Sequence, residues 1–194
     1  MTEEKKAAQG RTELVFILDR SGSMSGLESD TIGGFNGMLR RQQEESTDIL
    51  VSTVLFDDEV EVIHDRVSIA KVAPLTEREY FTRGCTALLD AIGDSIQHIR
   101  NIHKYAREED RPVRTMFVIT TDGLENSSVR YTAKKVRKLI GHQEKKHGWE
   151  FIFLGANIDA EKEAANIGVN KKNAVTYRNT KSGVRRNFDA VSSY

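Results

Sequence analysis

Three short segments of this 194-residue chain carry side-chain oxygens at spacings that suit one job, the holding of a hard cation. In Asp19-Arg-Ser-Gly-Ser23, residues two apart point the same way along an extended backbone, so Asp19, Ser21 and Ser23 present their oxygens to one point. Gly84-Cys-Thr86 adds the hydroxyl of Thr86, and Thr121-Asp122-Gly123 adds the carboxylate of Asp122. Two carboxylates and three hydroxyls make an all-oxygen set; thiolate or imidazole would indicate zinc or copper instead. Mg²⁺ is the expected ion, with Mn²⁺ or Ca²⁺ accepting the same donors. If the hydroxyls bind directly and the aspartates partly through water, the ion keeps much of its positive charge. An open position would then attract a carboxylate from outside.

The elements that must position these segments are visible in the apolar pattern. Glu13–Leu18, Ile49–Phe56, Arg114–Thr120 and Glu150–Leu154 are short continuous apolar runs, which is how strands covered on both faces read. Between and after them, helical patterns span roughly Ser29–Gln43, Ala87–Ala106, Tyr131–Lys146 and Ala160–Ile167; in the second, Leu88, Ile92, Ile96 and Ile99 share one face. Alternation of strand and helix implies right-handed crossovers and a three-layer, doubly wound α/β fold with a mostly parallel sheet of about six strands. Glu59–His64 breaks the alternation: it follows Ile49–Phe56 across the turn pair Asp57-Asp58 and reads as an antiparallel edge strand. Ala174–Tyr177 fits a last short strand, and Val184, Phe188 and Val191 recur at helical spacing beyond it. The expected organisation is a flexible tail over residues 1–11 and a single domain over 12–194, its last twenty or so residues a helix or tail. The first and third oxygen-bearing segments then lie at the carboxyl ends of parallel strands, where open α/β sheets bind ligands.

Composition narrows the function. Lys plus Arg and Asp plus Glu each number 29, so the chain lacks the basic excess that nucleic-acid backbones demand. The apolar runs are far too short to span a bilayer, and the polar Met1–Arg11 lacks the core of a secretory signal. With Cys85 the only cysteine, a soluble cytoplasmic protein is the expectation.

Taken in order, Asp19, Ser21, Ser23, Thr86 and Asp122 resemble the metal-ion-dependent adhesion site of the von Willebrand factor A family, whose motif is Asp-x-Ser-x-Ser, a distant Thr and a distant Asp. The resemblance extends over roughly Glu13–Thr176 and includes Phe-Ile-Leu-Asp-Arg-Ser-Gly-Ser-Met and Thr-Ala-Leu-Leu-Asp-Ala-Ile; the wording is closest to stand-alone bacterial members. It implies a Rossmann-like fold, a metal contacted by the serines, the threonine and the aspartates, and a protein partner whose Asp or Glu completes the coordination sphere. A binding module, not an enzyme, follows. The alternative is a metal-dependent hydrolase or phosphatase on a similar sheet, but haloacid dehalogenase-like phosphatases need a second aspartate where this chain has Ser21. The phosphate-loop, dinucleotide and nucleophile-elbow motifs are also missing from the sequence.

Other residues receive plainer readings. Thr86 also suits a helix cap, Cys85 a packing role, and Asp57 and Asp58 a turn, with Asp57 placed to reach an outer shell. The histidines 64, 98, 103, 142 and 147 read as surface residues. Glu125 and Asn126 are the best candidates to support the site from behind, and Asp90 suits the first turn of its helix.

Overall fold

The apolar runs become strands whose alternate residues feed two separate cores. The structure, a computed structural model, describes residues 10–45, 48–156 and 158–177. In chain order these form β1 (Thr12–Asp19), α1 (Glu28–Glu45), β2 (Ile49–Phe56), β3 (Val60–Ser68), α2 (Leu88–Tyr105), β4 (Arg114–Thr121), α3 (Ala133–His147), β5 (Glu150–Ala156), α4 (Ala160–Ile167) and β6 (Ala174–Tyr177). The sheet order is β3-β2-β1-β4-β5-β6, parallel except for β3, which pairs antiparallel with β2 at the edge. The doubly wound sheet with its antiparallel edge is the architecture expected from the sequence. The expected C-terminal helix over Val184–Val191 lies outside the described residues, as does most of the expected N-terminal tail.

Side-chain alternation explains the two cores. Leu14, Phe16 and Leu18 of β1 face α1 and pack with Phe35, Met38 and Leu39. Phe16 and Phe35 meet edge to face with centroids 5.2 Å apart. Val15 and Ile17 face the other way, toward Ile92 and Ile96 of α2 and Val136 and Ile140 of α3. Truncating such a phenylalanine to alanine costs about 3–5 kcal/mol, so Phe16 alone can decide whether the sheet holds its layer. No helix of the described residues is long and apolar enough to cross a membrane.

The helix ends follow ordinary local chemistry. Thr132 caps α3 by accepting from the Lys135 amide, and Asp159 caps α4 by accepting from the Lys162 amide. Gly148 and Gly168 close the same helices in left-handed conformations. The edge strand β3 runs longer than the hairpin pattern suggested, to Ser68, and its pairing with β2 shifts register around Thr53. Arg66 sits there at φ 51°, its amide donating to the Ser52 hydroxyl 3.0 Å away. An irregular, half-polar strand of this kind discourages further pairing at the sheet edge.

What matters for the site is register. Asp19 at the end of β1 lies opposite Phe56 of β2, and Leu18 lies opposite Thr120 of β4. The loops after β1, β2 and β4 therefore leave the sheet side by side.

Candidate functional site at the carboxyl rim of the sheet

The five residues singled out by type and spacing come together at this rim. The Asp19 carboxylate accepts from the Ser21 amide at 2.7 Å through Oδ1 and from the Thr121 hydroxyl at 2.5 Å through Oδ2. The Ser21 and Ser23 hydroxyls lie 3.0 Å apart. Asp122 hydrogen-bonds to the Ser23 side chain, and its charge acts on Asp19. Thr86 closes the ring: a Cβ built on Gly123 would stand 2.9 Å from the Ser23 hydroxyl and 3.0 Å from the Thr86 hydroxyl. Glycine is required there by contact distance, since any side chain would push into the oxygen cluster.

Electrostatically the rim is short of positive charge. Burial pushes Asp19 up from the ordinary 3.8 to about 6, against hydrogen bonds from Ser21 and Thr121 that favour its charged form. Burial also raises Asp122, opposed by the Ser23 hydrogen bond. Neither carboxylate forms an ion pair among the described residues, and Asp122 Oδ1 is buried with no hydrogen-bond partner. A buried acceptor left unmatched beside two hydroxyls and a second carboxylate fits a cation-binding role by the chemistry of the donors. Among the described residues no three or more His, Cys, Asp or Glu side chains gather as a metal-holding group, so any ion here would depend on the hydroxyls.

A second layer fixes the rim, and much of it was not anticipated. Asp57, expected as a turn residue placed to reach an outer shell, is fully buried behind the rim and accepts from Arg20 Nε at 2.9 Å and Arg83 Nε at 2.7 Å. Burial alone would raise it, but the hydrogen bonds from Arg83, the Glu59 amide and Arg20 outweigh that and hold it below its ordinary value. Arg20, inside the first segment itself, is 1% exposed and also reaches Glu61 at 2.7 Å. Backbone bonds then lace the loops: Arg20 N to Phe56 O, Arg83 N to Arg20 O and Ala87 N to Asp57 O. The buried Tyr80 hydroxyl donates to Asp19 O at 2.5 Å. Gly84 adopts φ 65° and lies against the Asp58 carboxylate, a conformation and an approach that both exclude a side chain; its carbonyl accepts from the Gly22 amide.

Behind the third segment, the expected support residues take distinct roles. Asn126 Oδ1 accepts from the Thr86 amide at 2.9 Å while Thr86 O accepts from the Asn126 amide, so the two residues clamp each other. Glu125 instead caps α2, accepting from the Leu89 amide at 2.9 Å, and Ser128 accepts from the Asp90 amide. Thr86 is therefore not the cap of α2, whose capping position is Ala87; its hydroxyl is left to the rim. Asp90 does more than complement the helix dipole: it is buried and accepts from the amides of Val129, Arg130 and Tyr131, which ties down the whole loop after β4.

Two further readings are corrected. Cys85 is exposed rather than packed. His64 and His103 are half-buried rather than fully solvated, His64 bonding Thr53 and His103 bonding the buried Glu13. Periodicity carries no sign of these partners, which lie on other strands.

No protein-family model matches the chain, and no curated protein does. Solved structures do. The von Willebrand factor domain of the type V pili tip protein Mfa5 from Porphyromonas gingivalis aligns over 96% of this chain and 97% of its own, with TM-score 0.68 and 11% identity. The pilus adhesin SpaC from Lactobacillus rhamnosus GG aligns over 96% of this chain and 31% of its own, with TM-score 0.71 and 13% identity. A von Willebrand factor type A protein from Catenulispora acidiphila aligns over 94% and 42%, with TM-score 0.64 and 14% identity. The chain thus spans under half the length of the last two. At such identities the likeness establishes the fold, that of a von Willebrand factor A-like domain, and leaves the chemistry to the residues.

Proposed function

We propose that the chain is a divalent-cation-dependent protein-binding module, stand-alone in its bacterial-type wording, that uses Asp19, Ser21, Ser23, Thr86 and Asp122 to hold Mg²⁺ and through it a carboxylate of a partner protein. The observation that carries this reading is the buried Asp19 and half-buried Asp122 carboxylates at the rim, without a cationic partner among the described residues and with Asp122 Oδ1 unmatched. When bound, the cation would supply an under-neutralised positive charge at an exposed edge, able to attract an acidic group.

This chain's own residues account for the rest. Ser21, Ser23 and Thr86 offer neutral oxygens and so leave positive charge for the partner. Thr121 and the Ser21 amide orient Asp19. The Arg20–Asp57–Arg83 cluster and the Asn126 clamp fix the loops before any ligand arrives, which lowers the ordering cost of binding. A binding role is favoured over hydrolysis because none of the five histidines stands at the rim: His98 pairs with Asp65, His64 bonds Thr53, and His103, His142 and His147 gather around Trp149 at the other end of the sheet. That several neighbours of the fold are pilus and adhesin proteins is consistent with protein recognition. A cytoplasmic location is part of the proposal on composition alone.

The test is affinity capture from the source cells with wild type and Thr86→Ala, each with Mg²⁺ and with chelator. Partners retained by wild type in Mg²⁺ should be lost on chelation, and Thr86→Ala should bind them at least about tenfold more weakly, or roughly 1.4 kcal/mol. Ser29→Ala, an exposed change on α1, should bind as wild type. Partner binding that survives both chelation and Thr86→Ala would exclude the rim as the recognition surface.

A further inference from the structure

The end of the sheet opposite the rim holds a second constellation that the reading above does not use. A cavity of about 440 Å³ opens between the last turns of α2 and α3 and the chain entering β4 and β5. Its size falls within the range of small-molecule sites. Arg100, His103 and Lys104 come from α2, and His142, Gln143, Lys146 and His147 from α3, at spacings of three and four that turn them toward a common side. Arg111 reaches in from the linker before β4, and Trp149 lies at the start of β5.

The cations here are unneutralised. Arg111 donates only to the Ala106 carbonyl, at 3.1 and 3.2 Å, and Arg100 to the neutral Gln97 side chain at 3.1 Å. The Lys104 ammonium stands 5.1 Å from the Tyr105 ring centroid. None of these residues, nor Lys146, forms an ion pair among the described residues. The nearby acid, Glu13, is buried, with its two oxygens taken by Arg66 and His103. The imidazoles crowd together: ring centroids of His103 and His147 lie 5.3 and 6.4 Å from that of Trp149, and His142 lies 6.1 Å from His147. Burial, and then the positive charge of Lys146, His142, His103 and Arg100, depresses protonation of His147 below its ordinary value.

Basic residues in the last turn of a helix complement its dipole, and that explains Lys104 and Lys146 in part. It explains neither Arg111, which lies outside both helices, nor Gln143. The Gln143 side chain is fully buried at the wall of the cavity, and both its amide nitrogen and its carbonyl oxygen lack a partner. A buried amide with neither its nitrogen nor its oxygen matched, beside four cations that form no ion pair among the described residues, fits a polar anionic occupant.

We propose that this cavity is a binding site for a small phosphate-bearing anion with the charge of a diphosphate, gripped by Arg100, Lys104, Arg111 and Lys146 and oriented by the Gln143 amide. A single orthophosphate would leave much of the volume and most of the cations unmatched. The site is independent of the rim and needs no divalent cation.

Trp149, the only tryptophan in the chain, reports directly on it. Chelator-treated wild type is titrated with inorganic pyrophosphate, orthophosphate and ADP at constant ionic strength, following Trp149 emission. A saturable change with pyrophosphate or ADP, and weaker binding of orthophosphate, is expected. Tighter binding of ADP assigns an organic diphosphate, and tighter binding of pyrophosphate assigns the inorganic anion. The exposed double variant Arg100→Gln/Lys146→Gln should weaken binding at least about tenfold, and Gln143→Leu about fivefold, both with folding verified by thermal melt. No saturable change up to about 5 mM, or curves unchanged in both variants, would overturn the proposal.

Discussion

Replacing Asp19 with asparagine should stabilise the cation-free protein while destroying its response to cations. Burial holds the Asp19 carboxyl at about 6 in the folded chain, against an ordinary 3.8. As pH rises through that window the unfolded chain loses this proton first, so the folded state binds more protons and stability falls with pH; above about 6 the penalty is complete. At about 1.4 kcal/mol per tenfold change in proton affinity, the charged Asp19 costs up to ~3 kcal/mol at neutral pH. Asparagine mimics the neutral form without new strain. Its carbonyl can still accept from the Ser21 amide, and its NH₂ can donate to Thr121, whose hydroxyl can turn to the Gly123 carbonyl 3.2 Å away. The expected gain is roughly 1–3 kcal/mol, or about 2–12 °C in melting temperature for a domain of this size. The assay is a pair of thermal melts at pH 7.5, in chelator and in Mg²⁺. Wild type should gain stability from Mg²⁺ by mass action, and Asp19→Asn should start higher and gain nothing. A variant that melts below wild type in chelator would refute the claim that the rim carries uncompensated negative charge.

Because the cation competes with the proton on Asp19, the Mg²⁺-dependent rise in melting temperature should be full above about pH 6 and disappear as the pH falls toward the ordinary carboxylate range, which melts across a pH series will show. Gly123→Ala, which crowds the Ser23 and Thr86 hydroxyls, should lower Mg²⁺ affinity by at least about tenfold in calorimetric titration while the chain remains folded. Arg20→Ala strands part of the charge on buried Asp57 and should cost about 3 kcal/mol, the low end for a broken buried pair because Arg83 remains, seen as a fall of roughly 6–12 °C in the melt.

The oxygen donors were legible before the fold because a hard-cation site is a statement about residue type. The spacing of Asp19, Ser21 and Ser23 further requires only extended backbone. The sheet was legible because β1, β2, β4 and β5 are buried on both faces and so lose the polar alternation that would otherwise disguise them. What escaped the sequence are pairings across distance. Asp57 looks like half of a turn because nothing local announces that Arg20 and Arg83 converge on it from separate loops. Asp90 looks like a first-turn acid until the loop after β4 folds back over it. The position of Arg20, a fully charged side chain immediately after an apolar strand and inside the oxygen-bearing segment, is the one signal that could have pointed to a buried ion pair.

Titration of Mn²⁺ into the chelator-stripped protein, followed by the loss of the free-ion electron paramagnetic resonance signal, tests the central claim most directly. Wild type should take up a single ion per chain, Ser21→Ala and Thr86→Ala should bind it more weakly, and Asp122→Ala should leave the ion free at all concentrations used. Uptake by Asp122→Ala with wild-type affinity, or none by wild type up to about 1 mM, would contradict a cation held at this rim.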